Sequence, residues 1–374
     1  MLRQDENISS MLAERMAAGD FPSAVYMVAE GGRAILAGAL GKAVRGPAQE
    51  EHAATLGTIY DLASLTKPLV TGLLCARRIE SGELSLTGEV GLHLPEFDRE
   101  GKCTITLGQL LAHTSGLPAW RPLYIEATER DDVLRVIAEQ PLESQPGTRV
   151  CYSDLGFITL GLLLERLSGA MLSELARREL FEPLGLKRTF FNPDVSMRAE
   201  VAACETGNAF EREMCRAMKA REWAHWREHL IWGEVHDGNA HFLGGAAGHA
   251  GLFSTARETL RLAQQFMPAS TELLAPETCA LFRANLTEGL EEARSVAWQL
   301  AATDGSTAGP SLAPDSFGHT GFTGTSCWTD AERERTFILL TNRTHARSLP
   351  FVNINSVRRG FHTLAVAALE KGKG

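Results

Sequence analysis

A serine and a lysine three residues apart form the first pair in this sequence whose spacing suits chemistry. Ser64 and Lys67 begin a segment with helical periodicity, so their Cβ atoms are expected on one face, about 5–6 Å apart. A serine hydroxyl becomes a nucleophile when a neighbour takes its proton, and a lysine can do so if burial or positive surroundings lower its pKa. The alternative is a serine helix cap followed by an exposed lysine, and the pair alone favours that alternative.

A tyrosine lies just before an apolar helical segment, in residues 146–156. A phenol beside an ammonium group can be held partly as phenolate and act as a general base, which makes Tyr152 a candidate partner of Lys67. Two other interpretations stay open at this point. One is a tyrosine packed by its ring, and the other is Ser153 or Asp154 as the cap of the following helix.

Glycines surround a histidine in residues 317–324, next to the predicted C-terminal strands. Glycine lets a backbone approach a ligand closely, and the edge of a strand can form hydrogen bonds with an extended substrate. His319, Thr320 and Gly321 are therefore candidates for substrate binding, and an imidazole can donate or accept a proton near neutral pH. The alternative is a tight glycine turn without a ligand.

Residues 225–229 (HWREH) match the spacing of an inverted zinc-protease motif. No third ligand accompanies the two histidines, so we interpret the stretch as a solvated helix face and predict no metal site and no cofactor. His113 is interpreted as structural, with its side chain bonded to nearby backbone. A glycine-rich loop follows His236, Asp237 and His241. These three residues could border a substrate cleft or have a purely structural role, and the sequence does not decide between the two.

The elements that must position these residues are predicted from periodicity and turn signals. Apolar residues at three- and four-residue spacing predict helices, and two apolar runs around Gly31 and Gly32 predict a hairpin. A polar turn at 330–335 predicts a second hairpin. The predicted helices cover residues 5–18, 65–80, 106–113, 130–139, 156–167, 256–267 and 356–370; the predicted strands cover 24–30, 33–39, 296–300, 325–329 and 336–341; residues 196–240 are predicted to be helix and loop.

This order of elements predicts an α+β fold. Strands near both chain ends fit one antiparallel sheet flanked by N- and C-terminal helices, with a mainly helical domain inserted between them. The predicted boundaries place a discontinuous sheet domain at residues 1–62 and 241–374 and the helical domain at 63–240. The active site is expected between the two domains.

The composition narrows the functional classes. The chain has 374 residues, of which 44% are hydrophobic and 22% charged, with a net charge of −9. This describes a globular protein without the basic stripe of a nucleic-acid binder. Seven dispersed cysteines without a CxxC pair indicate reduced thiols. The sequence has no apolar signal core and no membrane-spanning stretch, so the predicted location is the cytoplasm, and no membrane or nucleic-acid partner is expected.

In the order SxxK, YxD, HTG, these segments resemble the motifs of the serine β-lactamase and penicillin-binding-protein superfamily, in its class-C-like branch of β-lactamases, D-stereospecific peptidases and esterases. The resemblance covers nearly the whole chain and implies a β-lactamase/transpeptidase-like fold. Further matching segments are residues 110–117 (LLAHTSGL), 181–186 (FEPLGL), 248–255 (GHAGLFST) and 340–343 (LTNR).

The resemblance implies a catalytic role for four of the matched residues. Ser64 would be the acylated nucleophile, and Lys67 would share its proton. Tyr152 would act as base for the attack and as acid for the leaving group. The backbone N–H groups of Ser64 and Phe322 would form the oxyanion hole.

On the opposite wall, the resemblance implies that His319, Thr320 and Gly321 orient the acyl donor. Two positions depart from the family pattern. Asp154 stands where the lactamases and DD-peptidases usually have asparagine, and an ionised aspartate cannot donate to a substrate carbonyl, although it could pair with Lys67. His319 stands where those enzymes have lysine, so recognition of a substrate carboxylate would be weaker.

Both departures favour an esterase or amidase that acts on a small ester or amide through an acyl-enzyme on Ser64. One alternative is a β-lactamase or D-Ala-D-Ala carboxypeptidase activity. An alternative of another class is a ligand-binding member of the fold that has lost turnover. The expected partner is a small ester, amide or peptide substrate, and no oligomeric state is predicted.

Overall fold

The computed structural model describes residues 2–46, 50–99 and 101–371. The helices are α1 (Glu6–Ala17), α2 (Leu73–Glu80), α3 (Leu107–Leu111), α4 (Leu123–Glu126), α5 (Val133–Glu139), α6 (Asp154–Ser168), α7 (Leu172–Ala176), α8 (Ala209–Ala217), α9 (Gly238–Phe242), α10 (Ala256–Ala263) and α11 (Asn355–Lys371). The strands are β1 (Ser23–Glu30), β2 (Arg33–Val44), β3 (His52–Ala53), β4 (Tyr60–Asp61), β5 (Phe190–Phe191), β6 (Leu252–Ser254), β7 (Gln299–Leu300), β8 (Phe317–Thr320), β9 (Ser326–Asp330) and β10 (Arg335–Thr341).

The larger of the sheets in the described chain is built from strands near both ends of the sequence. Its order is β3-β2-β1-β10-β9-β8-β7, and Tyr26 of β1 pairs with Leu339 of β10 in an antiparallel register. The β1–β2 hairpin turns at Gly31 and Gly32, whose φ angles of +56° and +72° suit glycine. Both predicted hairpins are therefore confirmed.

Alternate residues of the central strands face two separate hydrophobic cores. Tyr26 and Leu339 point to the side that α1 and α11 cover, whereas Val25 and Ile338 point to the side that α10 and the helical middle of the chain cover. The sheet is thus buried on both faces. The predicted α+β class, with an antiparallel sheet flanked by the terminal helices, is confirmed, and the domain boundaries stay a prediction.

A short second sheet lies where the nucleophile segment begins. Its order is β4-β6-β5, with Asp61 paired to Phe253 and Phe191 paired to Leu252. Strand β6 lies in the glycine-rich segment that was predicted to be a loop. Its three residues, between glycines and a helix cap, are too few to show the alternation typical of a strand. This sheet fixes the backbone just ahead of Ser64.

Two further predicted elements differ in the structure. The predicted strand 296–300 is reduced to Gln299–Leu300, because Ala297 has a φ of +62° and leaves the extended conformation. The predicted helix 65–80 begins as one 3₁₀ turn (Ala63–Leu65) and a π-helical segment (Lys67–Gly72) before α2. Non-α turns of this kind are often found at functional sites.

No single helix of the described chain has the length and apolar character needed to cross a membrane. The α6 helix taken together with Leu172–Phe181, across a bend of 76°, reaches that length and composition as a pair.

Candidate active site

The nucleophile turn is held by side chains that bond to its own backbone. Ala63 has a left-handed φ of +48°, which is strained for a residue other than glycine. Asp61 Oδ1 accepts the Ala63 N–H at 2.8 Å, and the Thr66 hydroxyl donates to the Ala63 carbonyl at 2.7 Å. These bonds hold the strained turn and present Ser64 to a large cavity.

The amine of Lys67 is fully buried among oxygen atoms of neighbouring residues. It donates to Ser64 Oγ at 3.0 Å and to the carbonyl of His249 at 3.1 Å, and it forms an ion pair with Asp154 Oδ1 at 2.6 Å. Burial alone would lower the pKa of Lys67, but the charge of Asp154 raises it above its usual value. The expected pairing with Asp154 is confirmed. A lowered pKa, the condition under which Lys67 alone would act as the base, is not met in the free enzyme, because that carboxylate stabilises the ammonium form.

The hydroxyl of Tyr152 lies within hydrogen-bonding reach of both Ser64 and Lys67. Burial raises its pKa, and the charge of Asp154 acts in the same direction, against the opposing effect of Lys67. The free enzyme therefore holds a neutral phenol. The partial phenolate that the sequence left possible is not favoured here, because burial and the charge of Asp154 together outweigh the positive charge of Lys67.

The position of Tyr152 follows from the start of α6. Ser153 caps this helix: its Oγ accepts the Gly156 N–H at 3.1 Å and donates to the Pro118 carbonyl at 2.7 Å. His113 Nδ1 accepts the Ser153 N–H at 2.9 Å, and its ring packs on Tyr152 with centroids 4.4 Å apart. The structural interpretation of His113 is confirmed, and the cap is Ser153.

The turn after β8 is tied to the nucleophile turn. Thr325 Oγ1 donates to the Leu62 carbonyl at 2.9 Å, and Thr323 Oγ1 donates to the Asp61 carbonyl at 2.8 Å. A Cβ at Gly321 would lie 2.0 Å from Thr325 Oγ1 and 2.5 Å from the Leu62 carbonyl oxygen, so only glycine fits between the two segments. The two threonines therefore fix β8 beside Ser64.

His319 and Thr320 line the same cavity from β8. His319 is buried, its Nδ1 lies 2.9 Å from the Thr320 carbonyl, and burial lowers its pKa well below the usual histidine value, so the ring is neutral. Ser64 and Phe322 also line the cavity, and neither backbone N–H has a hydrogen-bond partner among the described residues. Their role as an oxyanion hole stays a prediction.

The cavity has a volume of about 880 Å³ and charged groups of both signs in its walls. The acids are Asp154, Glu211, Asp237, Glu291, Glu292 and Asp304, and the arginines are Arg294, Arg343 and Arg358. Arg294 is paired with Glu292, whereas Arg343 and Arg358 have no carboxylate partner among the described residues.

Some of the residues around the cavity are predictable from the sequence and others are not. Both His236 and Asp237 line the cavity, and His236 is also bonded to Glu205, whereas His241 lies outside the lining. Arg358 carried no signal in the sequence, because only the fold brings α11 to the site. Arg343 lies in the LTNR segment directly after β10, and the match of that segment to the family was the available signal.

Two features of the described residues are relevant to metal binding: the HWREH stretch and a cluster of three potential ligands. The predicted solvated helix face is wrong, because residues 225–229 form a loop in which Arg227 is buried. His229 of that stretch pairs with Glu234 instead of converging with His225 on a common ligand. The cluster that brings three ligating atoms within 4.8 Å of one another is Asp154, Asp237 and His249. The ammonium of Lys67 already contacts Asp154 and the His249 carbonyl, so this chain supplies its own cation there.

Comparisons with known proteins cover almost the whole chain. The family described as Beta-lactamase matches residues 8–356. The chain is 31% identical over 318 residues to a putative D-alanyl-D-alanine carboxypeptidase of Escherichia coli K12, which covers 78% of this chain and 71% of that protein. It is 31% identical over 372 residues to an N-acetylmuramyl-L-alanine amidase of Bacillus subtilis, covering 90% of this chain and 80% of that protein.

Two solved structures share the fold at lower identity. EstCE1, a hydrolase with promiscuous acyltransferase activity, superimposes with a TM-score of 0.73 at 22% identity and covers 96% of this chain and 97% of its own. A class C β-lactamase from Rhodobacter sphaeroides superimposes with a TM-score of 0.73 at 19% identity and covers 98% and 99%. At these identities the likeness shows the fold.

Proposed function

Because the chain belongs to the Beta-lactamase family of serine hydrolases, we propose that it hydrolyses an amide or ester bond of a small, carboxylate-bearing substrate through an acyl-enzyme on Ser64. The observation that carries the proposal is the contact of Ser64 Oγ with Lys67 Nζ at 3.0 Å, with the Tyr152 hydroxyl in reach of both. Nucleophile and proton-transfer groups are thus already assembled.

In the acylation step, Ser64 Oγ attacks the substrate carbonyl while its proton moves to the Lys67–Tyr152 pair. Both partners are protonated in the free enzyme, since the pKa values of Lys67 and Tyr152 are raised. One of them must lose a proton before it can accept the proton of Ser64, so the fraction of enzyme in the active form increases as the pH rises. The same phenol then protonates the leaving group, and water releases the acyl group by the reverse path.

The arginines at one end of the cavity support a substrate that carries a carboxylate. Arg358 is buried, its Nε has no hydrogen-bond partner among the described residues, and burial lowers its pKa to about 9. Among the described residues, Arg343 donates to the carbonyls of Phe322 and Val352. A buried guanidinium without a counter-ion is unfavourable, and a substrate carboxylate would supply the missing charge.

The named relatives support amide cleavage in particular. The E. coli and B. subtilis relatives carry the names of a putative D-alanyl-D-alanine carboxypeptidase and an N-acetylmuramyl-L-alanine amidase, and both names describe cleavage of an amide bond. A carboxypeptidase- or β-lactamase-type activity is the second candidate, favoured by the unpaired Arg343 and Arg358, because both substrate types carry a carboxylate next to the reacting bond.

Covalent labelling of Ser64 tests the hydrolase proposal. Intact-mass spectrometry after reaction with a β-lactam or an activated ester is expected to show one acyl adduct on the wild type and none on Ser64→Ala. The rates of hydrolysis of a panel of p-nitroanilides and p-nitrophenyl esters, each with and without a carboxylate, then show whether the protein prefers amides or esters. A protein that forms no adduct, with turnover equal in wild type and variant, would be a ligand-binding member of the fold.

We also propose a cytoplasmic location. The seven cysteines are all free thiols, and Cys75, Cys204, Cys215, Cys279 and Cys327 are buried, as expected for a reducing compartment. Cell fractionation with antibodies against the native protein tests this location, and recovery in an extracytoplasmic fraction would contradict it.

A further inference from the structure

Asp237 presents a free carboxylate oxygen to the active-site cavity. Its side chain is 21% exposed and lines the cavity wall. Oδ1 accepts two hydrogen bonds, one from the Ala240 N–H and one from His249 Nε2, both at 2.8 Å. Oδ2 has no hydrogen-bond partner among the described residues. A carboxylate oxygen in such a place is an available acceptor.

The histidine that holds Asp237 is itself fixed by close backbone packing. His249 is buried, and it follows Gly248, where a Cβ would lie 1.9 Å from the Phe157 carbonyl oxygen. Thr71 Oγ1 donates to the Gly248 carbonyl at 2.7 Å. Because an ionised carboxylate only accepts hydrogen bonds, His249 Nε2 donates to Asp237. The carboxylate is thus oriented by a rigid part of the fold.

The charge of this carboxylate is fixed as well. Burial by itself would raise the pKa of Asp237, but His249 beside it lowers that pKa well below its usual range. The neighbouring Glu211 behaves in the opposite way: burial and the charge of Asp237 raise its pKa to about 7. Both oxygens of Glu211 are occupied, by the Tyr124 hydroxyl at 2.8 Å and by the Gly238 N–H at 2.7 Å.

Asp237 lies close to the reacting groups. Ligating atoms of Asp237, Asp154 and His249 are within 4.8 Å of one another, and Asp154 contacts Lys67, which contacts Ser64. Two carboxylates therefore face one ammonium group, which leaves this wall with an excess of negative charge. A substrate group that donates hydrogen bonds fits such a wall better than an apolar or anionic one.

We propose that Asp237, oriented by His249, binds a hydrogen-bond donor, an amino or hydroxyl group, that the substrate carries next to the scissile carbonyl. The inference deepens the proposed hydrolase function and rests on it for the identity of the reacting bond. Together with Arg343 and Arg358, it describes a substrate with a donor at one end and a carboxylate at the other.

Three anilides that differ in one group test this subsite. The p-nitroanilides of alanine, lactic acid and propionic acid, in both enantiomers where they exist, place an ammonium, a hydroxyl or a methylene hydrogen beside the same carbonyl. One hydrogen bond to a charged acceptor predicts that kcat/KM favours the alanyl or lactyl anilide over the propionyl one by about tenfold or more. In Asp237→Asn this preference is expected to fall towards one, with the ammonium losing more than the hydroxyl.

The binding of the same anilides to Ser64→Ala, measured by calorimetry, gives the preference without turnover. Asp98→Asn, a change at an exposed carboxylate, is the matched control and keeps the preference. Equal binding of all three anilides would overturn the subsite, as would an equal loss for all three in Asp237→Asn. If the anilides bind with this preference but none is hydrolysed, the subsite is supported and the proposed hydrolase function is refuted. If all three anilides are hydrolysed at equal rates, the hydrolase function is supported and the subsite is refuted.

Discussion

Replacement of Asp154 by asparagine tests how the charge of this carboxylate controls the pKa values of the proton-transfer groups, Lys67 and Tyr152. Asp154 Oδ1 lies 2.6 Å from Lys67 Nζ, and the charge of this carboxylate raises the pKa of Lys67 and of Tyr152 alike. Asparagine keeps the size of the side chain and removes the charge. Burial then acts on Lys67 without the carboxylate that contacts it, so its pKa falls. The pKa of Tyr152 falls too, because the charge that raises it is gone.

The size of the effect follows from the distance between the charges. Two unit charges about 4 Å apart interact by about 4 kcal/mol at an effective dielectric constant of about 20. A tenfold change in rate requires a change of about 1.4 kcal/mol in the activation free energy, so the loss of about a third of the interaction between the two charges is sufficient for it. We expect kcat/KM at neutral pH to rise about tenfold or more in Asp154→Asn. The lost ion pair lowers the free energy of unfolding by up to about 3–5 kcal/mol while Lys67 stays charged.

The assay is the pH dependence of kcat/KM for p-nitrophenyl acetate, which has no titrating group of its own. This quantity reports the ionisation of the free enzyme, here of Lys67 and Tyr152 as a coupled pair. In the wild type the rate is expected to rise with pH into the alkaline range, and in Asp154→Asn the rise is expected at lower pH. Asp154→Glu keeps the charge and is the control.

One result would refute this reasoning. If Asp154→Asn, folded as judged by its circular dichroism, kept the wild-type pH profile, the charge of Asp154 would not control the proton-transfer groups. A fall in rate at every pH would show instead that the carboxylate takes part in the reaction directly.

Two further predictions concern the cavity wall and the loop behind it. His319→Lys puts a fixed positive charge where the ring is now neutral, so we expect faster acylation by carboxylate-bearing β-lactams, measured by adduct formation; an unchanged rate would show that cavity shape governs the preference. Gly248→Ala places a Cβ 1.9 Å from the Phe157 carbonyl oxygen, so we expect a thermal midpoint several degrees lower, and a wild-type midpoint in calorimetry would contradict that packing.

Local patterns in the sequence predicted the parts of the fold that depend on local chemistry. The Gly31–Gly32 turn and the apolar helix that follows the Ser153 cap depend on residue types and short spacings, and the structure confirms them. Strand β6 was missed because only its pairing with β4 and β5 makes its three residues a strand.

The electrostatics of the site depended on distances that no spacing rule supplies. The sequence placed Lys67 and Tyr152 together and allowed for Asp154, but the net direction of the two pKa shifts depends on burial and on the 2.6 Å contact. Asp237 and His249 are twelve residues apart in sequence and meet through a loop whose path glycine packing determines. Such contacts follow from tertiary structure alone.

The pairing of Tyr26 with Leu339 sets the order in which this protein can fold during synthesis. Neighbouring strands of the sheet come from opposite ends of the sequence, so the sheet cannot close until β10 has left the ribosome. Ser64, Lys67 and Tyr152 emerge long before that point, yet His319 and Phe322, on the turn fixed to Asp61 and Leu62, arrive with the last strands. A nascent chain that stops short of β10 therefore carries the nucleophile and its partners without a closed catalytic cavity.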